Sequence, residues 1–386
     1  MRGHSAAGLA LALLGLSSWL PAVAGSLIVS ANDGKNPMVD GKYRIDDPPA
    51  PDTLAVIDAS SLPVKLLGQV EIHHSVAAPP FAVALSPDEK LALVGAPNSV
   101  DPADKTKLVL EKFIQVVDVE ARPPQLIERV ALPHQPIGVS INKSGDLALV
   151  AHLEGEVSVL SIHGKKVALA ETLRIGDEKS RISHVAFTPD GKFALATRRN
   201  DNVVAVLQIA DGKVTDTKHD ITVGNSPYGL DIAPDGTWAA VANVGRGSGD
   251  NDSVTIIDLA HQSFRAVEYA AVPPTPEGIA ISPDSRYVAV SAINGTNKAK
   301  DNPAFSDAGK LVIFEVKDGK LVRLAETATG HNCQGVIFTP DSRHIIVQHY
   351  MEQELALYSF ADGALRDTGE RLKLPARPAA IRAAAR

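Results

Sequence analysis

The chain has 386 residues, of which 45% are hydrophobic and 22% charged, the composition of an ordinary globular protein with a large buried core. Its formal charge of −7 excludes the basic surface that nucleic acid phosphates or anionic membranes select. Cys333 is the only cysteine, which excludes an intrachain disulfide, a CxxCH haem attachment and a cysteine-based zinc site.

Residues 1–24 read as a secretory leader. Arg2 and His4 precede an apolar run over 6–16, and Ala22-Val23-Ala24 supplies the small-x-small pattern that signal peptidase cuts after. The run is shorter than the ~20 residues a spanning helix needs. The expectation is therefore a mature chain over 25–386, periplasmic or secreted, with no membrane insertion.

Beyond the leader, "SLIVSANDGK" and "TLAVIDAS" predict two strands separated by a long polar loop. Six similar units follow: "FAVALSPDEKLALVGA", "IGVSINKSGDLALVAH", "ISHVAFTPDGKFALATR", "YGLDIAPDGTWAAVAN", "EGIAISPDSRYVAVSA" and "QGVIFTPDSRHIIVQH". In each, Pro sets φ at the start of a turn and Asp-Gly or a near variant supplies the dihedrals of a tight hairpin between alternating strands. Third strands such as "NVVAVLQI" and "SVTIIDL", and fourth strands such as "QLIERVAL" and "KLVRLAET", complete the units. Four antiparallel strands per repeat predict a propeller blade. The C-terminal "RPAAIRAAA" reads as a first strand for the N-terminal pair. Closing the ring this way makes a seventh blade and leaves no unpaired sheet edge. The expected fold is all-β: a single seven-bladed β-propeller, monomeric, closed by its N- and C-terminal strands.

The shared plan, G-[VI]-[AS]-x-[ST]-P-D-G followed by V-A-N, resembles the YVTN-type repeat of exported bacterial propellers and of the seven-bladed lactonase-like family. That resemblance covers essentially the whole mature chain and concerns the fold. For activity it implies ring-opening or ring-closing of a lactone.

Aligning the units on their turns puts Asn32, Ala96, His152, Arg198, Asn243, Ala292 and His349 at one equivalent position, the end of the second strand. The links leading into the first strands add His134, His184, Tyr228, Glu277, His331 and Asn332 at the same end of the barrel axis. Loops after the second strand are long in the units containing Asn32, Ala96, Asn243 and Ala292, and short in those containing His152, Arg198 and His349. Insertions gathered on one face commonly mark a binding face. The pattern predicts a cleft with His152, Arg198 and His349 as its floor.

Two functions fit. One is an exported propeller that binds a small polar or anionic ligand, or a periplasmic protein, in its axial funnel through Asn32, His134, His184, Arg199, Tyr228, Asn243, His331 and Asn332. The other is a lactonase-like hydrolase or cycloisomerase acting on a carboxylate-bearing lactone, with His152, His349 or Glu277 exchanging protons and Arg198 or Arg199 as the cation. No metal and no cofactor are expected: the histidines lie on separate repeats, and Asp250-Asn251-Asp252 lacks the closing Glu of a calcium loop. Trp238 and Cys333 read as packing residues.

Overall fold

The computed structural model describes residues 26–260 and 264–384; the leader expected over 1–24 lies outside them. Seven four-stranded antiparallel sheets circle one axis. Blade 1 takes its innermost strand from the C-terminus, in the order Arg377–Ala383, Leu27–Asp33, Asp52–Asp58, Lys65–Ile72. In blades 2 to 7 the innermost strands are Val83–Leu85, Val139–Ile141, Ile182–Phe187, Pro227–Ile232, Pro276–Ile281 and Val336–Phe338, each followed outward by the next strands in chain order. The sequence-predicted architecture and closure are those observed. The predicted third and fourth strands are present too, including Val203–Ala210, Gln125–Ala131 and Lys320–Thr329.

Burial explains the sequence pattern. A second strand is covered on both faces by neighbouring blades, so Leu147–Ala151 is buried throughout, whereas the outer strand Lys166–Arg174 exposes most of its residues. The core is accordingly a set of layers between blades: Trp238, Ala240 and Ile256 of blade 5, for example, meet Ile279, Val290 and Phe314 of blade 6.

The turns between first and second strands share a local lock. In blade 4 the Thr188 hydroxyl donates to Asp190 Oδ1 at 2.6 Å, and Gly191 follows in the left-handed region at φ 69°. Ser86–Asp88, Ser282–Asp284 and Thr339–Asp341 repeat the side-chain bond. Two small hairpins carried no repeat signal: Met38–Val39 with Lys42–Tyr43, and Asn98–Val100 with Leu108–Leu110, both inside the long loops after a second strand.

A plug divides the axial channel. Phe81 reaches from blade 2 to blade 5, where a Cβ added to Gly229 would lie 2.0 Å from its ring. His184 of blade 4 stacks on that ring with centroids 4.3 Å apart, and the Arg382 guanidinium of blade 1 lies 4.4 Å from its centroid. Phe81 and His184 are 2% and 1% exposed, so the loop-side mouth is separated from the turn-side mouth. Gly229→Ala should therefore destabilise the protein by about 1–3 kcal/mol through overpacking. Urea denaturation checks this, and adding Phe81→Val should recover part of the loss, a non-additivity that marks direct contact.

Candidate functional site

The three residues expected as a common floor are not brought together. His152 is fully buried; its Nδ1 meets the Gln135 carbonyl at 3.0 Å and its Nε2 the Ser158 hydroxyl at 2.8 Å. His349 contacts Glu354 through Nδ1 and the Tyr358 hydroxyl through Nε2, both at 3.1 Å. Arg198 is ion-paired to Asp201 and Asp220, each at 2.6 Å. All of these partners except the Gln135 carbonyl belong to the third strand, the fourth strand or the intervening loop of the same blade. The shared strand-end position aims its side chain outward along the blade, away from the axis.

Other expected ligand groups follow the same rule. Asn32 bonds Ser30 and Thr53, and Asn243 bonds Ser253 and Thr255. His134 sits against Glu154 and Glu156, and His331 against Glu352. These pairs tie an inbound link to the neighbouring loop. His184, expected at the loop-side rim, is in the plug, with Nδ1 accepting from Leu230 N–H at 3.3 Å. Burial holds the pKa of His152, His184 and His349 below the usual imidazole value.

Four of the expected residues do converge, with three others. Glu277 stands at the start of the innermost strand of blade 6, and Tyr228 at the same place in blade 5. Arg199 follows the second strand of blade 4; its Nε donates to Ser226 Oγ at 2.9 Å and its guanidinium lies 5.1 Å from the centroid of the Tyr228 ring. Asn332, fully buried on the link into blade 7, donates from Nδ2 to the Tyr43 hydroxyl at 2.9 Å. Gln334 lies between Asn332 and Glu277.

The electrostatics of this cluster turn on one carboxyl. Burial raises the Glu277 pKa to about 7, with Arg199 and a hydrogen bond from Gln334 pulling the other way. Arg199 has no ion-pair partner among the described residues, unlike Arg198 beside it. Its charge acts on Glu277 and on Tyr228. The hydroxyls of Tyr43 and Tyr228 are pushed above their ordinary pKa by burial and by Glu277, so both are neutral donors. The Gln334 Oε1 and Ser183 Oγ atoms are buried without a partner.

Left-handed backbone recurs on the links that reach this site. Arg181, Ser226, Thr275 and Asn332, on the inbound links of four successive blades, all have φ between 50° and 60°. Cys333, next to Asn332, is buried with its thiol against the Ala292 carbonyl, and burial raises its pKa to about 12, consistent with a packing role. Among the described residues no group of three or more His, Cys, Asp or Glu side chains is placed to hold a metal.

Tyr43 carried no repeat signal and was missed. It is delivered by the blade 1 loop over 34–51, which is anchored by a buried ion cluster. Lys35 Nζ pairs with Asp52 at 2.6 Å, lies 3.6 Å from Asp33 and donates to the His74 carbonyl. Asp33 also takes N–H bonds from Lys35, Asn36 and Val76, and the Tyr350 hydroxyl bonds the Asn36 carbonyl. The acidic loop over 46–52 thus ends in a buried carboxylate, Asp52.

With this geometry in view, the comparisons bear on the fold. A family model described as a lactonase, 7-bladed beta-propeller, matches residues 140–263. A candidate 6-phosphogluconolactonase from Bacteroides uniformis superposes with a TM-score of 0.70 at 15% identity, covering 93% of this chain and 99% of that one. The periplasmic gluconolactonase of Pseudomonas aeruginosa gives a TM-score of 0.65 at 18% identity over 92% and 99% of the two chains. Hydrazine synthase of Kuenenia stuttgartiensis shares the fold more partially, with a TM-score of 0.58 at 21% identity over 75% and 79%. No curated protein matches in sequence. The likeness is that of a lactonase-type seven-bladed propeller.

Because Lys35 is the cation paired with two buried carboxylates, Lys35→Met should cost about 3–5 kcal/mol. It should also free the Tyr43 loop, seen as faster proteolysis within 34–51 than elsewhere in the chain.

Proposed function

We propose that this protein opens or closes the ring of a carboxylate-bearing lactone at the loop-side mouth, with Glu277 as the proton-transfer group and Arg199 as the cation. The observation that carries the reading is the juxtaposition itself: the buried Glu277 carboxyl stands near the Arg199 guanidinium, which has no ion-pair partner among the described residues, and burial raises the Glu277 pKa to about 7. The relatives named as a candidate 6-phosphogluconolactonase and as a gluconolactonase support the reaction class. The leader-like segment over 1–24 supports a periplasmic location, the one named for the Pseudomonas protein.

In the hydrolytic direction, ionised Glu277 takes a proton from a water as its oxygen attacks the lactone carbonyl. The carbonyl π electrons move to oxygen, and Arg199 stabilises the oxyanion or, in the other orientation, the substrate carboxylate. Tyr43 and Tyr228 offer neutral hydroxyl donors to the same space. The tetrahedral intermediate collapses with cleavage of the ring C–O bond, and Glu277 returns its proton to the leaving alkoxide. His152 and His349 have no part in this, since both ring nitrogens of each are engaged within a blade.

Assays on a panel of aromatic and sugar-acid lactones test the proposal. For the true substrate kcat/KM should rise about tenfold per pH unit up to pH about 7 and then level, because the base must be ionised. Glu277→Gln should lower kcat by about 10²–10⁴-fold, Arg199→Met by about 10²–10³-fold, and His152→Ala should leave the pH profile in place. Native protein inert across the panel would overturn the catalytic reading. Retained, Arg199-dependent binding of the open hydroxy acid would then favour the exported binding protein. Glu277 also has a stability signature. Its folded pKa is raised, so its contribution is full below pH about 4.5 and lost as pH rises through about 7. Glu277→Gln should therefore melt higher than the native protein at pH 8, and not at pH 4.

A further inference from the structure

The turn-side mouth, on the far side of the Phe81 plug, holds a cavity of about 170 Å³. That admits several waters or a molecule of small amino-acid size. Ala84, Ala186, Ala280 and Ile337 form an apolar wall, interrupted by Ser140. Two charged side chains stand in this ring, Arg382 of blade 1 and Asp231 of blade 5, both on innermost strands.

Their bonding is incomplete. Arg382 lies 3.6 Å from Asp231 Oδ1, beyond hydrogen-bond distance, and its guanidinium rests on the face of Phe81 near His184. A guanidinium carries five N–H donors, and among the described residues none of them reaches an acceptor. The Arg382 side chain is only 16% exposed, so bulk water does not freely solvate it. Asp231 Oδ2 accepts the Ile281 N–H at 2.8 Å, the Ile232 N–H also bonds this carboxylate, and Oδ1 faces the distant guanidinium. Hydrogen-bonding capacity of both signs is thus held side by side over an apolar chamber.

A ligand must satisfy both ends. A plain carboxylate would gain Arg382 but sit beside Asp231, and a plain ammonium would meet the reverse conflict, since like charges at this separation repel strongly in a partly dry site. A dipolar ion whose ammonium and carboxylate share one carbon and lie antiparallel to the Arg–Asp pair meets neither conflict, and an aliphatic side chain fills the alanine-lined space. Lys143 also lines the cavity. We propose that the turn-side cavity is a second binding site, for a small aliphatic α-amino acid, with its carboxylate on Arg382 and its ammonium on Asp231 Oδ1. The site is independent of the loop-side chemistry.

Calorimetric titration of the full-length mature protein with L-valine tests this, against isovalerate, which lacks the ammonium, and isobutylamine, which lacks the carboxylate. L-valine should bind at least tenfold more tightly than either. Asp231→Asn should weaken L-valine by at least tenfold without weakening isovalerate. Ser140→Leu, which fills the chamber and changes no charge, should abolish binding at an unchanged melting temperature, and it decides the matter where Asp231→Asn does not fold. No binding heat from millimolar L-valine, equal affinity for the two fragments, or native-like affinity in Ser140→Leu would each overturn the proposal.

Discussion

Backbone pairing between Leu27–Asp33 and Arg377–Ala383 is the contact on which the molecule stands. It sets Ser30 opposite Ile381 and Ile28 opposite Ala383, joining the two ends of the chain in one sheet. Gln348 of blade 7 clamps the seam, donating from Nε2 to Ser30 Oγ and to the Ala380 carbonyl, each at 2.9 Å. On the other flank, Glu89 of blade 2 accepts the Leu27 N–H. Without the seam, seven sheets would form an open arc with two bare edges, and the loops of blades 1 and 7 would no longer border the same funnel. The Tyr43–Asn332 bond joins residues 289 positions apart and exists only because the ring closes.

Closure also forces a problem at the axis, where seven innermost strands face one another. The molecule fills the middle with Phe81 and His184 and leaves Gly229 where the ring of Phe81 passes. The plug makes two chambers of one channel, and each receives its own incompletely bonded charges. Glu277 and Arg199 occupy the loop side; Asp231 and Arg382 occupy the turn side. By contrast, His134, His331 and Arg198 at the rim are ion-paired. The His–Glu pairs of blades 3 and 7 tie the inbound links to their own blades, the Arg198–Asp220 pair of blade 4 ties its second strand to its fourth, and together they hold the funnel walls. Four successive links in left-handed conformations bring Tyr228, Glu277 and Asn332 to the inner face at a backbone cost that the surrounding sheets absorb.

Much of the loop-side cluster was legible because the repeat register numbers its positions. Arg199, Tyr228, Glu277 and Asn332 all stand where a link or strand end must reach the loop-side mouth. His152, Arg198 and His349 share that register yet belong to the walls, since register says which end of a strand a residue occupies and not which way its side chain leans. In each case a third- or fourth-strand partner, Ser158, Asp220 or Tyr358, draws the side chain outward. Tyr43 had no register at all: it lies in a long loop whose course depends on the buried Lys35–Asp52 pair. Arg382 and Asp231 were hidden differently, as single polar residues inside strands that alternate normally.

Alternating strands, the Ser/Thr-Pro-Asp turn and the split first blade are properties of neighbouring residues, so the amino-acid order by itself determined the seven blades, their strand order and their closure. Which polar groups stay unpaired was decided only by tertiary structure. Whether Arg199 finds a carboxylate, as Arg198 does, depends on residues from other blades and on the water that burial removes, and no local pattern records either. The same holds for Arg382, whose donors remain free because the strands beside it present alanine and isoleucine.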